Sequence, residues 1–330
     1  MGSNAPVRWG VVGLGKVVID HLAPSIQRSG NRLTACAGRD PEKARAFVAR
    51  FGVAKAYTSH DELVRDADVD AVYIATPNAL HYAAVIAAAR AGKHVLCEKP
   101  LALTEAEGRE MVDAFRGTNL VFRVGFQIRF EEILQRVRAI VQSGTLGDLR
   151  SISFERAAPV GPKGAWRSDP RQGGILFDVA VHLLDLIPWL TGLQYREICG
   201  YSNPDRREGK PDDTIVIASQ LTGGCHAVIR ASREIPHAEN NLIIQGTRGS
   251  VVTSALRWSD EYVLTIKGAD GVREERFAPT PIYQREVEAF VGEIRGTRSV
   301  LPDGEGGVAM IRLANAVFDA INRRTSVSLD

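Results

Sequence analysis

AGKHVLCEKP, running from Ala91 to Pro100, is the stretch whose reading decides the fold. Gly92 suits a helix C-terminus, because glycine enters the left-handed region without steric cost. His94 to Cys97 is apolar enough for a central strand of a parallel sheet, whose carboxyl end then carries Glu98 and Lys99. In open α/β sheets ligands bind at that end. Pro100 steers Lys99 away from helical geometry and gives the Lys99-Pro100 bond access to the cis form, so a stiff backbone would aim the ammonium. Taken alone, the decapeptide is equally readable as a surface lysine beside a turn proline.

The preceding chain favours the first reading. Arg8 to Val12 is a short apolar strand that enters Gly13-Leu14-Gly15-Lys16-Val17-Val18, and a helical pattern through Ile19, Leu22 and Ile26 follows. Strand, glycine turn and helix together are what a dinucleotide-binding turn requires, since glycines let backbone N–H groups approach a pyrophosphate at a helix N-terminus. The third glycine position holds Val18, so the fingerprint is incomplete. Leu33 to Gly38 reads as a second strand, and Asp40-Pro41-Glu42 opens a second helix with a capping acid and a first-turn proline. A site selective for NAD places an acid at the end of that strand for the ribose 2'-hydroxyl. Here Asp40 is already explained as a cap, Gly38 leaves room for a phosphate and Arg39 can pair with it, so NADP is expected over NAD. Asp70 to Ala75 is a further buried strand, ending in Thr76-Pro77-Asn78 with His81 close behind. These residues matter for a ligand only if they share an edge with the glycine turn.

Helix from about Thr104 to Gly117 and strand from Leu120 to Gly125 complete a strand-helix alternation that predicts a doubly wound parallel sheet over residues 1–125. Beyond Phe126 the rhythm changes. After a basic amphipathic helix from Glu131 to Gly144, strand-like runs begin at Leu149, Ile215, Cys225, Asn241, Ser250 and Tyr262. Residues 126–330 are therefore expected to form a second, α+β domain with one large, mostly antiparallel sheet. The final helix could pack on either domain.

Composition narrows the function classes. At 330 residues two domains are the default, and 41 basic against 39 acidic side chains give no electrostatic reason to expect nucleic acid or an anionic membrane. Cys36, Cys97, Cys199 and Cys225 are widely spaced, follow no metal-ligand pattern and read as reduced thiols of a cytoplasmic protein. No signal-peptide pattern and no apolar run of membrane-spanning length is visible.

One more stretch carries chemistry. After Trp166-Arg167 and Gly173-Gly174, the run from Ile175 to Asp185 reads as an apolar helix on which Asp178, His182 and Asp185 share a face. Two acids and an imidazole in register on a buried helix need either each other or a cavity. Pro188 is expected to disturb the helix near its end.

These elements, in order and spacing, resemble the Gfo/Idh/MocA family: Gly13 to Gly15, Ala75-Thr76-Pro77-Asn78, Ala91 to Val95 leading into Glu98-Lys99-Pro100, Trp166-Arg167, Gly173-Gly174, and Asp178-x-x-x-His182-x-x-Asp185. The resemblance covers nearly the whole chain. It implies a Rossmann domain, a second domain that assembles dimers or tetramers, and nicotinamide-dependent oxidation or reduction of sugars, polyols or related alcohols. Lys99, Asp178 and His182 match the family's catalytic trio. Glu98 and the Thr76 to Asn78 turn match its cofactor contacts, with Gly13, Gly15, Lys16, Val17, Gly38, Arg39, His81 and Lys99 as the other expected cofactor-binding positions. Trp166, Arg167, Arg129 and Tyr283 are expected beside the substrate, together with Asp178 and His182. Val18, Ala180 and Pro188 depart from the family pattern. Two other readings share the scaffold: a sugar-sensing regulator without turnover, against which the retained trio speaks, and a reductase of dihydrodiols or bile-pigment-like substrates. Substrate, direction and oligomeric state are not legible here.

Overall fold

Strands β1 (Arg8–Val12), β2 (Arg32–Ala37), β3 (Lys55–Tyr57), β4 (Ala71–Ile74), β5 (His94–Glu98) and β6 (Phe122–Gly125) pair in parallel in the order β3-β2-β1-β4-β5-β6. The structure is a computed structural model that describes residues 5–157, 159, 169–170, 174–236, 239–254 and 259–329. Every residue of β4 is buried, and β1 and β2 are buried beyond their first residue. Unbroken apolar strands of this kind belong to a sheet covered on both faces, which explains why their sequences run continuously rather than alternate. Helices α1 (Ala23–Arg28), α2 (Pro41–Phe51), α3 (His60–Val64), α4 (His81–Arg90) and α5 (Glu105–Phe115) supply the crossovers. Their starts follow local chemistry. Asp40 caps α2 by accepting from the Glu42 and Lys43 amides, and Ser59 and Thr104 form capping boxes with Glu62 and Glu107. This strand order reverses direction between β1 and β4, where ligands of such sheets bind.

The second sheet has nine strands in the order β14-β13-β12-β11-β7-β10-β9-β8-β15. These are β7 (Leu149–Ala157), β8 (Tyr195–Asn203), β9 (Thr214–Leu221), β10 (His226–Ser232), β11 (Leu242–Gly246), β12 (Ser250–Ser254), β13 (Tyr262–Gly268), β14 (Gly271–Phe277) and β15 (Val327–Ser328). All pairs are antiparallel except β7 with β10. In β9 and β10 burial alternates residue by residue, the signature of a sheet covered on one face only. Strands β8, β14 and β15 were not expected from the sequence. In β14, Arg273, Glu274, Glu275 and Arg276 suppress any apolar signal, as charged edge strands do.

Helices α6 (Glu132–Gln142) and α7 (Val181–Thr191) precede and follow β7. Helix α7 continues through Pro188 and stops at Gly192, which takes the left-handed conformation at φ +75°. Proline has no N–H for the Leu184 carbonyl, and the hydroxyl of Tyr195 donates to that oxygen instead, at 3.1 Å.

Two compact units emerge: residues 1–128 with 281–311, and residues 129–280 with 312–330. The sequence predicts a single boundary after residue 125, whereas α8 (Ile282–Ile294) groups with the first unit. Its Phe290 meets the fully buried Trp9 of β1, with ring centroids 5.3 Å apart, and its Glu293 pairs with Arg123 of β6. Residues 304–311 of α9 (Gly304–Arg323) belong to the first unit and the remainder to the second. Among the described residues no helix is long and apolar enough to cross a membrane.

Candidate active site

At the carboxyl edge of the first sheet, three loops expected from the sequence come together. Gly13 has φ +96°, and a Cβ there would lie 2.5 Å from the Ala75 carbonyl oxygen, so only glycine lets the turn after β1 press against the turn after β4. The Gly13 amide donates to the Ala37 carbonyl at 3.0 Å, which brings the end of β2 to the same place. A Cβ on Gly15 would meet nothing within 4 Å. This exposed position opens the helical run of residues 16–28, which passes through a wide π-type turn at Val18–Leu22. Exposed backbone at a helix N-terminus, with space in front of it, fits a pyrophosphate. Gly38 and Arg39 follow β2 directly, Arg39 is exposed, and Asp40 is committed to capping α2. Lys16 is exposed and paired with Asp20 at 3.3 Å, and Val17 is half-buried.

Next on this edge stand Thr76-Pro77-Asn78, with Asn78 buried at the start of a short 3-10 turn. Glu98 ends β5 and accepts a 2.5 Å hydrogen bond from the Tyr73 hydroxyl of β4. Burial, and after it the Glu98 charge, pushes the Tyr73 phenol well above its ordinary range. Lys99 follows, half-buried, and its bond to Pro100 is cis. His81 is fully buried, with Nδ1 2.8 Å from the Pro100 carbonyl oxygen and Nε2 3.0 Å from that of Thr76. Both ring nitrogens thus face the backbone. Burial lowers the His81 pKa from 6.5, against the backbone of Pro100, Thr76 and Leu101, which favours the protonated ring, and Lys99 lowers it further.

Tyr283 opens the first unit's α8, accepts from Gln127 Nε2 at 2.9 Å and stacks on the exposed ring of His21, with centroids 5.0 Å apart and ring planes nearly parallel. Neither Gln127 nor His21 was expected from the sequence. Their link to Tyr283 joins positions far apart along the chain, which no local pattern signals.

In the second unit, a π-type turn over Leu176–Ala180 carries Asp178, half-buried, and leads into α7 with His182 buried. Asp212, completely buried, fixes the start of this run: its carboxylate accepts from the Leu176 amide at 2.8 Å and from Arg206 at 2.5 Å, and its carbonyl accepts from the Ile175 amide. Gly174 has φ +99°, and a Cβ there would strike Asp212 Oδ1 at 2.4 Å. Asp212 is thus a positioning residue that sequence inspection missed, since two adjacent acids before a strand, Asp212 and Asp213, carry no local signal of a distant partner. Asp185, on the same helix, receives a two-pronged contact from Arg129, Nε to Oδ2 at 2.8 Å and Nη2 to Oδ1 at 2.5 Å, and Arg129 also lies over the Trp189 ring. Arg129, read from the sequence as a substrate contact, gives its fork to Asp185. Trp166, Arg167 and Gly173 lie outside the described residues.

Comparison with known proteins agrees with this architecture. Residues 7–126 match the model of an oxidoreductase family with an NAD-binding Rossmann fold, and residues 134–252 match the Gfo/Idh/MocA C-terminal domain. A 1,5-anhydro-D-fructose reductase from Ensifer adhaerens is 29% identical over 319 residues, 95% of this chain and 96% of its own. A trans-1,2-dihydrobenzene-1,2-diol dehydrogenase from Bos taurus is 33% identical over 264 residues, 79% of this chain and 78% of its own. The crystal structure of an aldose-aldose oxidoreductase from Caulobacter crescentus, complexed with glycerol, has the same fold, with a TM-score of 0.89, 24% identity and coverage of 98% of this chain and 100% of that one. With both family models matched in order, and the glycine turn and Glu98-Lys99-Pro100 at one sheet edge, the chain belongs to the Gfo/Idh/MocA family of NAD(P)-dependent oxidoreductases.

Proposed function

We propose that this chain is an NADP-preferring dehydrogenase or reductase that interconverts a secondary alcohol and a ketone on a sugar, polyol or related substrate. The observation that carries the reading is the position of Lys99, directly after β5 on the sheet edge shared with the glycine turn and Thr76-Pro77-Asn78. A bound nicotinamide supplies the hydride acceptor or donor, which leaves the protein to orient the carbinol carbon and to move one proton. In this reading Lys99 donates a hydrogen bond to the reacting oxygen and stabilises its developing negative charge. Asp178 accepts from a neighbouring substrate hydroxyl and orients the His182 imidazole. His182 takes the hydroxyl proton during oxidation and returns it during reduction, a task suited to an imidazole. The preference for NADP rests on Arg39, exposed at the end of β2, and on Asp40 being occupied by the α2 cap.

Dihydrodiols are a second substrate class, favoured by the 33% identity to the Bos taurus dehydrogenase. Assembly through the open sheet of the second unit also belongs to this proposal, and is supported by Tyr201, Val228 and Val272, large apolar side chains exposed on its strands. The test is reduced-nicotinamide absorbance with NADP and with NAD across a panel of sugars, polyols and dihydrodiols, in wild type and Lys99→Ala. Turnover abolished by Lys99→Ala, with folding and nucleotide affinity retained, is the expected result. Turnover unaffected by the substitution would return Lys99 to a surface role.

A further inference from the structure

The geometry points to His81 as a positioning residue whose imidazole sets the place of Lys99 relative to the nucleotide-binding turn. This rests on the function proposed above. The ring is fully buried and touches one carbonyl on each side: Thr76, first residue of the Thr-Pro-Asn turn, through Nε2 at 3.0 Å, and Pro100, the residue after Lys99, through Nδ1 at 2.8 Å. A rigid five-membered ring fixes the separation of these two oxygens in a way that two independent side chains could not. The two carbonyls belong to different loops, following β4 and following β5, so backbone pairing within the sheet does not itself fix their spacing beyond the strand ends. A neutral imidazole carries one N–H and can donate to only one of the two oxygens at a time. Charge on the ring would satisfy both, but burial opposes that charge, and Lys99 opposes it further.

Two conservative substitutions separate the two contacts. The amide nitrogen of asparagine falls near the position of Nδ1, and that of glutamine near Nε2. His81→Asn keeps a donor for Pro100 and gives up Thr76. His81→Gln does the reverse, and His81→Phe removes both while filling the space.

The measurements are the dissociation constant for NADPH by fluorescence, the turnover number, and the pH dependence of Lys99 labelling by trinitrobenzenesulfonate in the nucleotide-free protein, read by mass spectrometry. For His81→Gln the expected result is a turnover number lowered roughly tenfold, the scale of one lost hydrogen bond to a positioned group, with a shifted Lys99 labelling midpoint and near-normal NADPH affinity. For His81→Asn it is weaker NADPH binding with Lys99 labelling unchanged. His81→Phe should show both losses. Equal losses in Asn and Gln variants, or losses that merely track melting temperature, would make His81 a packing residue and overturn the inference. If no substrate on the panel turns over, the functional reading falls first. The labelling then decides alone: an identical Lys99 profile in wild type and His81→Gln overturns the positioning role.

Discussion

Glu286 offers a quantitative test of how the first unit is built. It lies on α8 with no exposed surface, and neither carboxyl oxygen has a hydrogen-bond partner among the described residues. A Cβ added to Gly125 at the end of β6 would lie 3.4 Å from its Oε1 and 3.6 Å from the Glu98 Cα, so the Glu286 carboxyl reaches the end of β6 next to the backbone of Glu98. Burial, reinforced by Glu98, pushes the Glu286 pKa well above 4.5. The titratable groups facing it are Glu98 of β5 and Tyr73 of β4, while Arg123 of β6 is taken by Glu293. An acid whose pKa rises on folding is protonated in the fold and ionised in the unfolded chain once pH exceeds 4.5. The unfolded state then binds one proton fewer, so stability is full below that value and falls as pH rises toward the folded pKa. The slope is about 1.4 kcal/mol per pH unit.

Glu286→Gln keeps the shape of the neutral acid and removes its titration. The variant should gain on the wild type by about 1.4 kcal/mol for each pH unit above the unfolded value, until the folded acid also ionises. Urea unfolding at several pH values between about 5 and 8, followed by circular dichroism, measures the difference. Glu293→Gln, about two turns further along α8, is the internal contrast, because it deprives the half-buried Arg123 of its partner and should destabilise. A Glu286→Gln protein whose advantage is constant with pH, or which loses stability increasingly as pH rises, would mean that Glu286 is ionised in the fold, and would refute the reasoning.

Arg39→Ala should weaken NADP(H) selectively, by about 1.5 to 3 kcal/mol or roughly tenfold or more, with NAD(H) little changed. Parallel titrations check it, and tighter NAD(H) binding by the wild type would contradict the assignment. His182→Asn should leave a folded, nucleotide-binding protein with turnover reduced roughly a hundredfold or more, lacking the acid limb of the wild-type profile for alcohol oxidation. Survival of that limb in the mutant would transfer the proton to another group, Lys99 first. Arg129→Ala should cost about 3 to 5 kcal/mol of stability by stranding the buried Asp185, whereas the double change Arg129→Met with Asp185→Leu should cost far less. Denaturant midpoints decide this, and an Arg129→Ala protein of unchanged stability whose Michaelis constant alone rises would restore Arg129 as a substrate contact.

The parallel sheet of the first unit was legible along the chain because its information is local. Continuous apolar runs give buried parallel strands, Asp40 and Thr104 mark helix starts, and Gly13, Gly92 and Pro100 mark turns, all within a few residues of the element each one ends or begins. The turn after β1, the end of β2 and Thr76-Pro77-Asn78 could be named as candidates from sequence, but their meeting at one edge follows from strand order, which is a long-range property. The second sheet was visible only where one face is buried. Strands β8 and β14 carry too few inward apolar residues to reveal a period, and pairing with a neighbour defines them. Other assignments needed three dimensions for the same reason. Phe290 and Glu293 draw α8 to β1 and β6, Arg129 finds Asp185 across 56 positions, and Asp212 reaches back to cap a helix begun before it. Amino-acid order by itself determined which residues could do chemistry, since side-chain type and backbone preference are local. Tertiary structure decided which of them are held by others, because a hydrogen bond or an ion pair requires two groups within about 3 Å, whatever their separation along the chain.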